Sequence, residues 1–246
     1  MSRPTLVLGP SLGTSSASLW GPCAELLQPD FDLHPWDLPG HGENRAPIRG
    51  EVTVPDLGRA VLSQLEGPFW YAGDSVGGAV GLQLALDAPD RVLGAVLCCT
   101  GARIGTPRSW VERAELVRRA GTSALVAASS ERWFGPGFVD VAPQRASELL
   151  RALSDADPAG YVAVCGALAG FDVRERLGDV TVPVLTIAGS YDVVTPPETL
   201  REIADGVRDG RYVELDGVAH LAPAEAPEQV AALIREHCLA RTERTA

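Results

Sequence analysis

Residues Tyr71–Val80 read YAGDSVGGAV, and the reading of the whole chain turns on them. Inside them, Gly73-Asp74-Ser75-Val76-Gly77 has the pattern G-x-S-x-G. That pattern suits a serine held on a strained turn between a strand and a helix, because a side chain at either glycine would strike neighbouring backbone. The flanks agree. Phe69–Ala72 is an apolar run of strand length, and Gly77–Asp87 is rich in Gly and Ala, as a helix packed closely on a sheet requires. Such a turn lifts the Ser75 hydroxyl above the sheet edge. It also leaves the Val76 N–H at the positive end of a helix. Ser75 is therefore the candidate nucleophile. Asp74 beside it has two readings: it raises the pKa of a catalytic imidazole, or it points away into solvent.

A serine hydroxyl is a poor nucleophile until an imidazole takes its proton. The chain has four histidines. His34 lies in a candidate strand and His237 in a terminal helical stretch, so both read as structural. His41, in Pro39-Gly40-His41-Gly42, reads as a loop brace. His220 lies in DGVAHLAPAEAP, just after the last candidate strand, and is the expected base. The strand before it leads into AGSYDVVTPP, residues 188–197, which supplies Asp192 as the orienting acid. Asp216 and Asp172 are weaker candidates for that role. The order Ser75, Asp192, His220 is that of α/β-hydrolases and not that of the other serine-hydrolase folds. A tetrahedral intermediate also needs N–H donors aimed at its oxygen. Val76 N–H is one. Leu12 N–H is the second, in the loop Gly9–Thr14 after the first core strand, with Gly13 giving that turn its freedom.

Working outward, short apolar runs alternate with helical patterns. Thr5–Leu8, Phe31–Trp36, Phe69–Ala72, Val92–Cys98, Val182–Ala188 and Tyr212–Leu215 are candidate strands. Continuous apolar strands separated by helices predict a mostly parallel sheet of about six strands, covered on both faces. Leu57, Val61 and Leu65 form a helical stripe after Thr53, a plausible N-cap, and Pro55. Val230, Leu233, Ile234 and Cys238 form another after Pro227. From Gly105 to Gly178 the chain has helical stretches and no convincing strand: Trp110–Ala120, Ser123–Phe134, Pro143–Leu153 and Pro158–Leu168. The expected organisation is a core over 1–104, a helical cap inserted over 105–178, and the rest of the core over 179–246.

Composition narrows the partners. A chain of 246 residues suits one large α/β domain, and its 21 basic residues are all Arg. The net charge of -11 repels phosphate backbones and anionic membranes, so no nucleic-acid or membrane partner is expected. Five Cys, odd in number and without CxxC, argue against a disulfide framework or a zinc site. No signal-like leader and no apolar run near bilayer length is visible, so the expectation is a soluble, cytoplasmic protein. The Phe31–Trp36 strand is expected at an open sheet edge, which invites pairing with a second copy as a homo-oligomer.

Beyond these residues, the chain resembles a known family. Ser11–Thr14 (SLGT), the turn GDSVGG, Cys98–Trp110 (CCTGARIGTPRSW), Glu131–Phe134 (ERWF) and AGSYDVVTPP together resemble 3-oxoadipate enol-lactonases, of the α/β-hydrolase superfamily. The resemblance runs over nearly the whole chain, including the cap. It implies hydrolysis of a small anionic lactone, 3-oxoadipate enol-lactone, to 3-oxoadipate in the β-ketoadipate pathway of aromatic-compound catabolism. It implies an acyl-serine intermediate and needs no metal or organic cofactor. Since that substrate carries a carboxylate, an Arg is expected near it. Arg132, beside Trp133 in the cap, is the first candidate, followed by Arg103 and Arg108. Three features depart from the family pattern: Pro10, Asp74, and a first buried strand that begins without the usual strand pair ahead of it. Other readings of the same residues are another small carboxylesterase or lactonase, a cofactor-free perhydrolase, or a non-catalytic ligand-binding receptor. A haloalkane dehalogenase is disfavoured, because it needs a carboxylate where Ser75 stands.

Overall fold

The computed structural model describes residues 3–46 and 50–245. The chain runs β1 (Thr5–Gly9), α1 (Ser16–Leu27), β2 (Asp32–Pro35), α2 (Val54–Leu62), β3 (Phe69–Asp74), α3 (Val76–Asp87) and β4 (Val92–Cys98). Helices α4 (Pro107–Ala120), α5 (Val126–Trp133), α6 (Phe138–Val141), α7 (Pro143–Asp155) and α8 (Pro158–Ala169) follow. The chain then returns to the sheet with β5 (Val184–Gly189), α9 (Pro197–Gly206), β6 (Gly210–Leu215), α10 (Ala222–Glu225) and α11 (Pro227–Thr245).

The strands form one six-stranded sheet in the order β2-β1-β3-β4-β5-β6. All five pairings are parallel, where a mostly parallel sheet was expected. Every residue of β3 is buried, as a central strand covered on both faces must be. Right-handed crossovers put α1 on one face and α2, α3 and α9 on the other, because the chain moves in opposite directions along the sheet. The packing agrees: α1 lies against α11, and α2 against α3. This is the α/β-hydrolase arrangement. The direction of travel reverses between β1 and β3, and ligands bind such sheets outside the strand ends at that reversal. Gly9 and Gly73 are paired there.

Several boundaries differ from the sequence reading. Helix α2 stops at Leu62, so Leu65 lies beyond it, although Thr53 does cap it and shares a capping box with Asp56. The single helix read over Ser123–Phe134 is a 3₁₀ turn (Thr122–Leu125) followed by α5. A further 3₁₀ segment, Arg174–Asp179, precedes β5. The edge strand β2 is only four residues long, contains Pro35, and exposes Asp32. Shortness, proline and charge all blunt an edge against pairing. Among the described residues, no helix is long and apolar enough to cross a membrane.

Candidate active site

The C-terminal ends of β1, β3, β5 and β6 open onto one rim, and each strand sends a loop into it. Between β3 and α3 stands Ser75 alone, at φ 54° and ψ -118°. A non-glycine residue held there costs on the order of 1–3 kcal/mol, so the surroundings must impose it. They do. Ser75 N–H donates to Cys98 O (2.9 Å), and its carbonyl accepts from Thr100 Oγ1 (2.6 Å) and Ala79 N (3.0 Å). Tyr71 OH fastens the next turn by donating to Gly77 O (2.9 Å). Gly77 N–H donates to Pro10 O (3.0 Å), joining this turn to the loop after β1.

His220 follows β6, and its Nε2 lies 3.0 Å from Ser75 Oγ. Its Nδ1 lies 2.9 Å from Asp192 Oδ2, in the loop after β5. Ser75, Asp192 and His220 are only 6, 3 and 2 % exposed. The structure thus brings together three side chains separated by 117 and 28 positions, in series as hydroxyl, imidazole and carboxylate. Such a series can activate an oxygen nucleophile.

The carboxylate is held by more than the imidazole. Asp192 Oδ1 accepts from Val194 N (2.8 Å) and Thr195 N (3.0 Å), and Oδ2 accepts from Thr195 Oγ1 (2.7 Å). Burial pushes the Asp192 carboxyl up, but the His220 and Thr195 contacts outweigh it and hold the group below its ordinary range. Thr195 was absent from the sequence reading. Its signal was present: an Asp whose side chain can bond backbone N–H groups two and three residues on is an Asx-type turn. Asp216 is exposed and accepts from Ser190 Oγ (3.4 Å), while Asp172 pairs with Arg174 (2.7 Å); neither serves His220.

A second unanticipated group is Glu225, on α10. Its carboxylate accepts from Gly135 N (2.6 Å), Ala219 N (3.0 Å) and Leu221 N (3.4 Å). It therefore clamps the backbone on both sides of His220 to the segment after α5. His220 N–H also donates to Trp133 O (3.2 Å).

The loop after β1 is fixed by its own turn. Thr14 N and Oγ1 both donate to Ser11 O (3.1 and 2.9 Å), and Ser11 N donates to Thr14 Oγ1 (3.1 Å). Gly13 stands at φ 90°, and a Cβ there would lie 2.6 Å from Leu153 and 3.3 Å from Trp133. Leu12 is buried, and neither Leu12 N–H nor Val76 N–H is taken by a protein acceptor among the described residues.

Asp74 does not point into solvent. It is 0 % exposed, and neither carboxyl oxygen has a well-formed hydrogen bond among the described residues. Burial, then the charges of Asp192 and Glu225, push its carboxyl well above the ordinary range, with the Ser11 side chain opposing. Surroundings of this kind favour the neutral carboxyl, which weakens the idea that its charge raises the imidazole pKa. The folded chain therefore keeps a proton that the unfolded chain releases. Stability is lost as pH rises from the unfolded pKa toward the folded one, by up to about 1.4 kcal/mol per pH unit. Asn cannot ionise. Urea melts of Asp74→Asn between about pH 5 and about pH 8 are expected to gain on the wild type as pH rises. Parallel pH profiles for the two proteins would show that Asp74 carries no such proton.

The three candidate arginines separate. Arg132 sits at the end of α5, half-buried, with Nε donating to Ala128 O (2.9 Å). Burial and the nearby Arg113 charge hold its guanidinium below the usual range. Trp133 is buried against Gly13 and Phe134. Arg103 instead lies near Asp172, and Arg108 is exposed and paired with Glu112 (2.7 Å).

Comparison with known proteins agrees with this architecture. Residues 6–233 match the sequence profile described as the Alpha/beta hydrolase family. The 3-oxoadipate enol-lactonase 2 of Acinetobacter baylyi is 35% identical over 208 residues, covering 83% of this chain and 75% of that protein. A Variovorax paradoxus relative named for carbamate hydrolysis, RutD, is 30% identical over 219 residues, covering 83% and 80%. The crystal structure of the enol-lactonase from Burkholderia xenovorans LB400 superposes with a TM-score of 0.92 at 32% identity, covering 97% of this chain and 92% of that one.

Proposed function

The chain belongs to the alpha/beta hydrolase family, and from that premise we propose that it hydrolyses 3-oxoadipate enol-lactone to 3-oxoadipate through an acyl-serine. Ser75 Oγ attacks the lactone carbonyl while His220 Nε2 takes the hydroxyl proton. Asp192 holds Nδ1–H and the imidazolium, and remains a carboxylate. The carbonyl oxygen becomes an oxyanion facing Leu12 N–H and Val76 N–H. As it collapses, the ring C–O bond breaks, and His220 returns the proton to the departing enol oxygen. The enol tautomerises to the ketone. Water then attacks the acyl carbon, gives a proton to His220, and Ser75 leaves as that proton returns to it. The helices over 105–178 act as the cap in this reading. Five buried cysteine side chains suit a reducing compartment, the cytoplasm.

The observation that carries the reading is the 3.0 Å contact from His220 Nε2 to Ser75 Oγ, continued at 2.9 Å to Asp192. The named enol-lactonase relatives supply the substrate class. The test is turnover of the enol-lactone, made in situ from muconolactone, against p-nitrophenyl acetate. A kcat/KM for the lactone at least about 10²-fold above the simple ester is expected, since discrimination reports transition-state binding. Equal or better turnover of the simple ester would overturn the assignment. A carbamate substrate forms a third arm, because a relative named for carbamate hydrolysis is 30% identical.

Gly77 gives a sharper prediction. A Cβ there would lie 2.6 Å from Gly9 C and Pro10 O, both backbone atoms. Gly77→Ala must push the Leu12 loop away from the turn. A loss of about 1–3 kcal/mol in denaturant melts is expected from overpacking. A fall of about 10²-fold in kcat accompanies it, the cost of a misplaced oxyanion donor. Wild-type kcat in a folded Gly77→Ala variant would separate the Leu12 loop from catalysis.

A further inference from the structure

Beside the strap that holds Asp192 lies a cavity of about 200 Å³. Its walls include Ile104 and Trp110, Val193 and Val194, and two guanidinium side chains, Arg113 and Arg132. Arg113 lies over the Trp110 ring, 5.4 Å from its centroid, and donates to Tyr161 OH (3.4 Å). Trp110 is itself fixed, because Nε1 donates to Ile104 O (2.6 Å). Arg132 is anchored through Nε to Ala128 O. Neither Arg113 nor Arg132 forms an ion pair among the described residues, in a chain of net charge -11. Two like charges brought together, half-buried and without an ion-paired carboxylate, favour an anion that joins them.

The walls are contiguous with the catalytic candidates. Val193 and Val194 follow Asp192 directly, and Val194 N–H bonds its Oδ1. Arg132 precedes Trp133, whose carbonyl accepts from His220 N–H. A ligand in this cavity therefore sits one residue away from the groups that hold both the acid and the base.

We propose that Arg113 and Arg132 form a carboxylate subsite, which takes the free carboxylate of an acyl substrate whose ester carbon lies at Ser75. The inference rests on the reading of Ser75 as the nucleophile. It adds Arg113, which stands 19 positions before Arg132 on a different helix. The planar fork of each guanidinium suits a carboxylate, and Trp110 backs the Arg113 fork. Arg103 and Arg108 have no part in this subsite.

The experiment uses Arg113→Gln, Arg132→Gln and the double variant. The readout is the ratio of kcat/KM for the enol-lactone to that for p-nitrophenyl acetate, which lacks a carboxylate. Each single variant is expected to lower the ratio at least about 10-fold, mainly through KM, the scale of a lost charged hydrogen bond. A ratio unchanged within about 2-fold in both single variants would overturn the subsite. A wild type that cleaves p-nitrophenyl acetate and leaves the lactone untouched would refute the substrate assignment alone. Competitive inhibition of ester cleavage by succinate then decides: a Ki raised at least about 10-fold in the variants supports the subsite, and an unchanged Ki refutes it.

Discussion

Ser75→Ala is expected to lower kcat by about 10⁴- to 10⁶-fold while the chain still folds. Ala keeps the Cβ and the left-handed backbone at φ 54°, so Cys98, Thr100 and Ala79 still hold the turn. What disappears is the atom 3.0 Å from His220 Nε2. Residual rate over water would come from the Leu12 and Val76 donors and from binding. Fluorophosphonate should label the wild type at Ser75 and leave Ser75→Ala unlabelled. No adduct on the wild type would instead favour a receptor that keeps the pocket without the chemistry. Ser75→Gly is a useful companion. Gly adopts this backbone without the clash between Cβ and carbonyl, so it should melt later than Ser75→Ala by about 1 kcal/mol. The strain at Ser75 would then be measured apart from its chemistry.

Asp192→Asn is the second large effect. The amide is nearly isosteric, but it must turn an NH₂ toward either Nδ1 or the Thr195 and Val194 donors. Oδ2 accepts from both His220 Nδ1 and Thr195 Oγ1, and Oδ1 from two backbone N–H groups. No orientation of an amide satisfies all four donors. The side chain that remains selects the wrong imidazole tautomer, and kcat is expected to fall about 10⁴-fold. Stability should fall too. The Asp192 carboxyl is held below its ordinary range, so the wild type gains stability above the unfolded pKa and loses it as pH falls through the folded one. Asp192→Asn should therefore differ most from the wild type near neutral pH and converge with it in acid. A kcat within about 10-fold of wild type would remove Asp192 from the proposed mechanism.

Much of this was legible in the chain because the relevant signals are local. β3 is buried throughout and β4 at every position but Leu93, so Phe69–Ala72 and most of Val92–Cys98 read as apolar runs. The G-x-S-x-G turn demands small residues within five positions of one another, and the contacts around Gly77 show why. His220 and Asp192 were located because each directly follows a strand. The helices between β4 and β5 were harder. Their ends depend on caps: Thr106 closes a capping box with Ser109 that places the start of α4 at Pro107, three residues ahead of the sequence reading. Arg113 was invisible because it shares its helix with Arg118 and Arg119, and all three look like a solvated face. Only the fold brings it to Arg132. Asp74 misled for a related reason: a charged residue beside a turn is normally solvated, and nothing local announces that β3 carries it into the core. Glu225 was out of reach entirely, since its partner Gly135 lies 90 positions earlier.

That last contact ties the chain after α5 to the backbone around His220. Gly135 cannot swing outward without leaving the Glu225 carboxylate, which at the same moment steadies Ala219 and Leu221 around the imidazole. Displacing Gly135 would therefore slacken the backbone that carries the imidazole, so any disturbance of the chain after α5 is transmitted to His220.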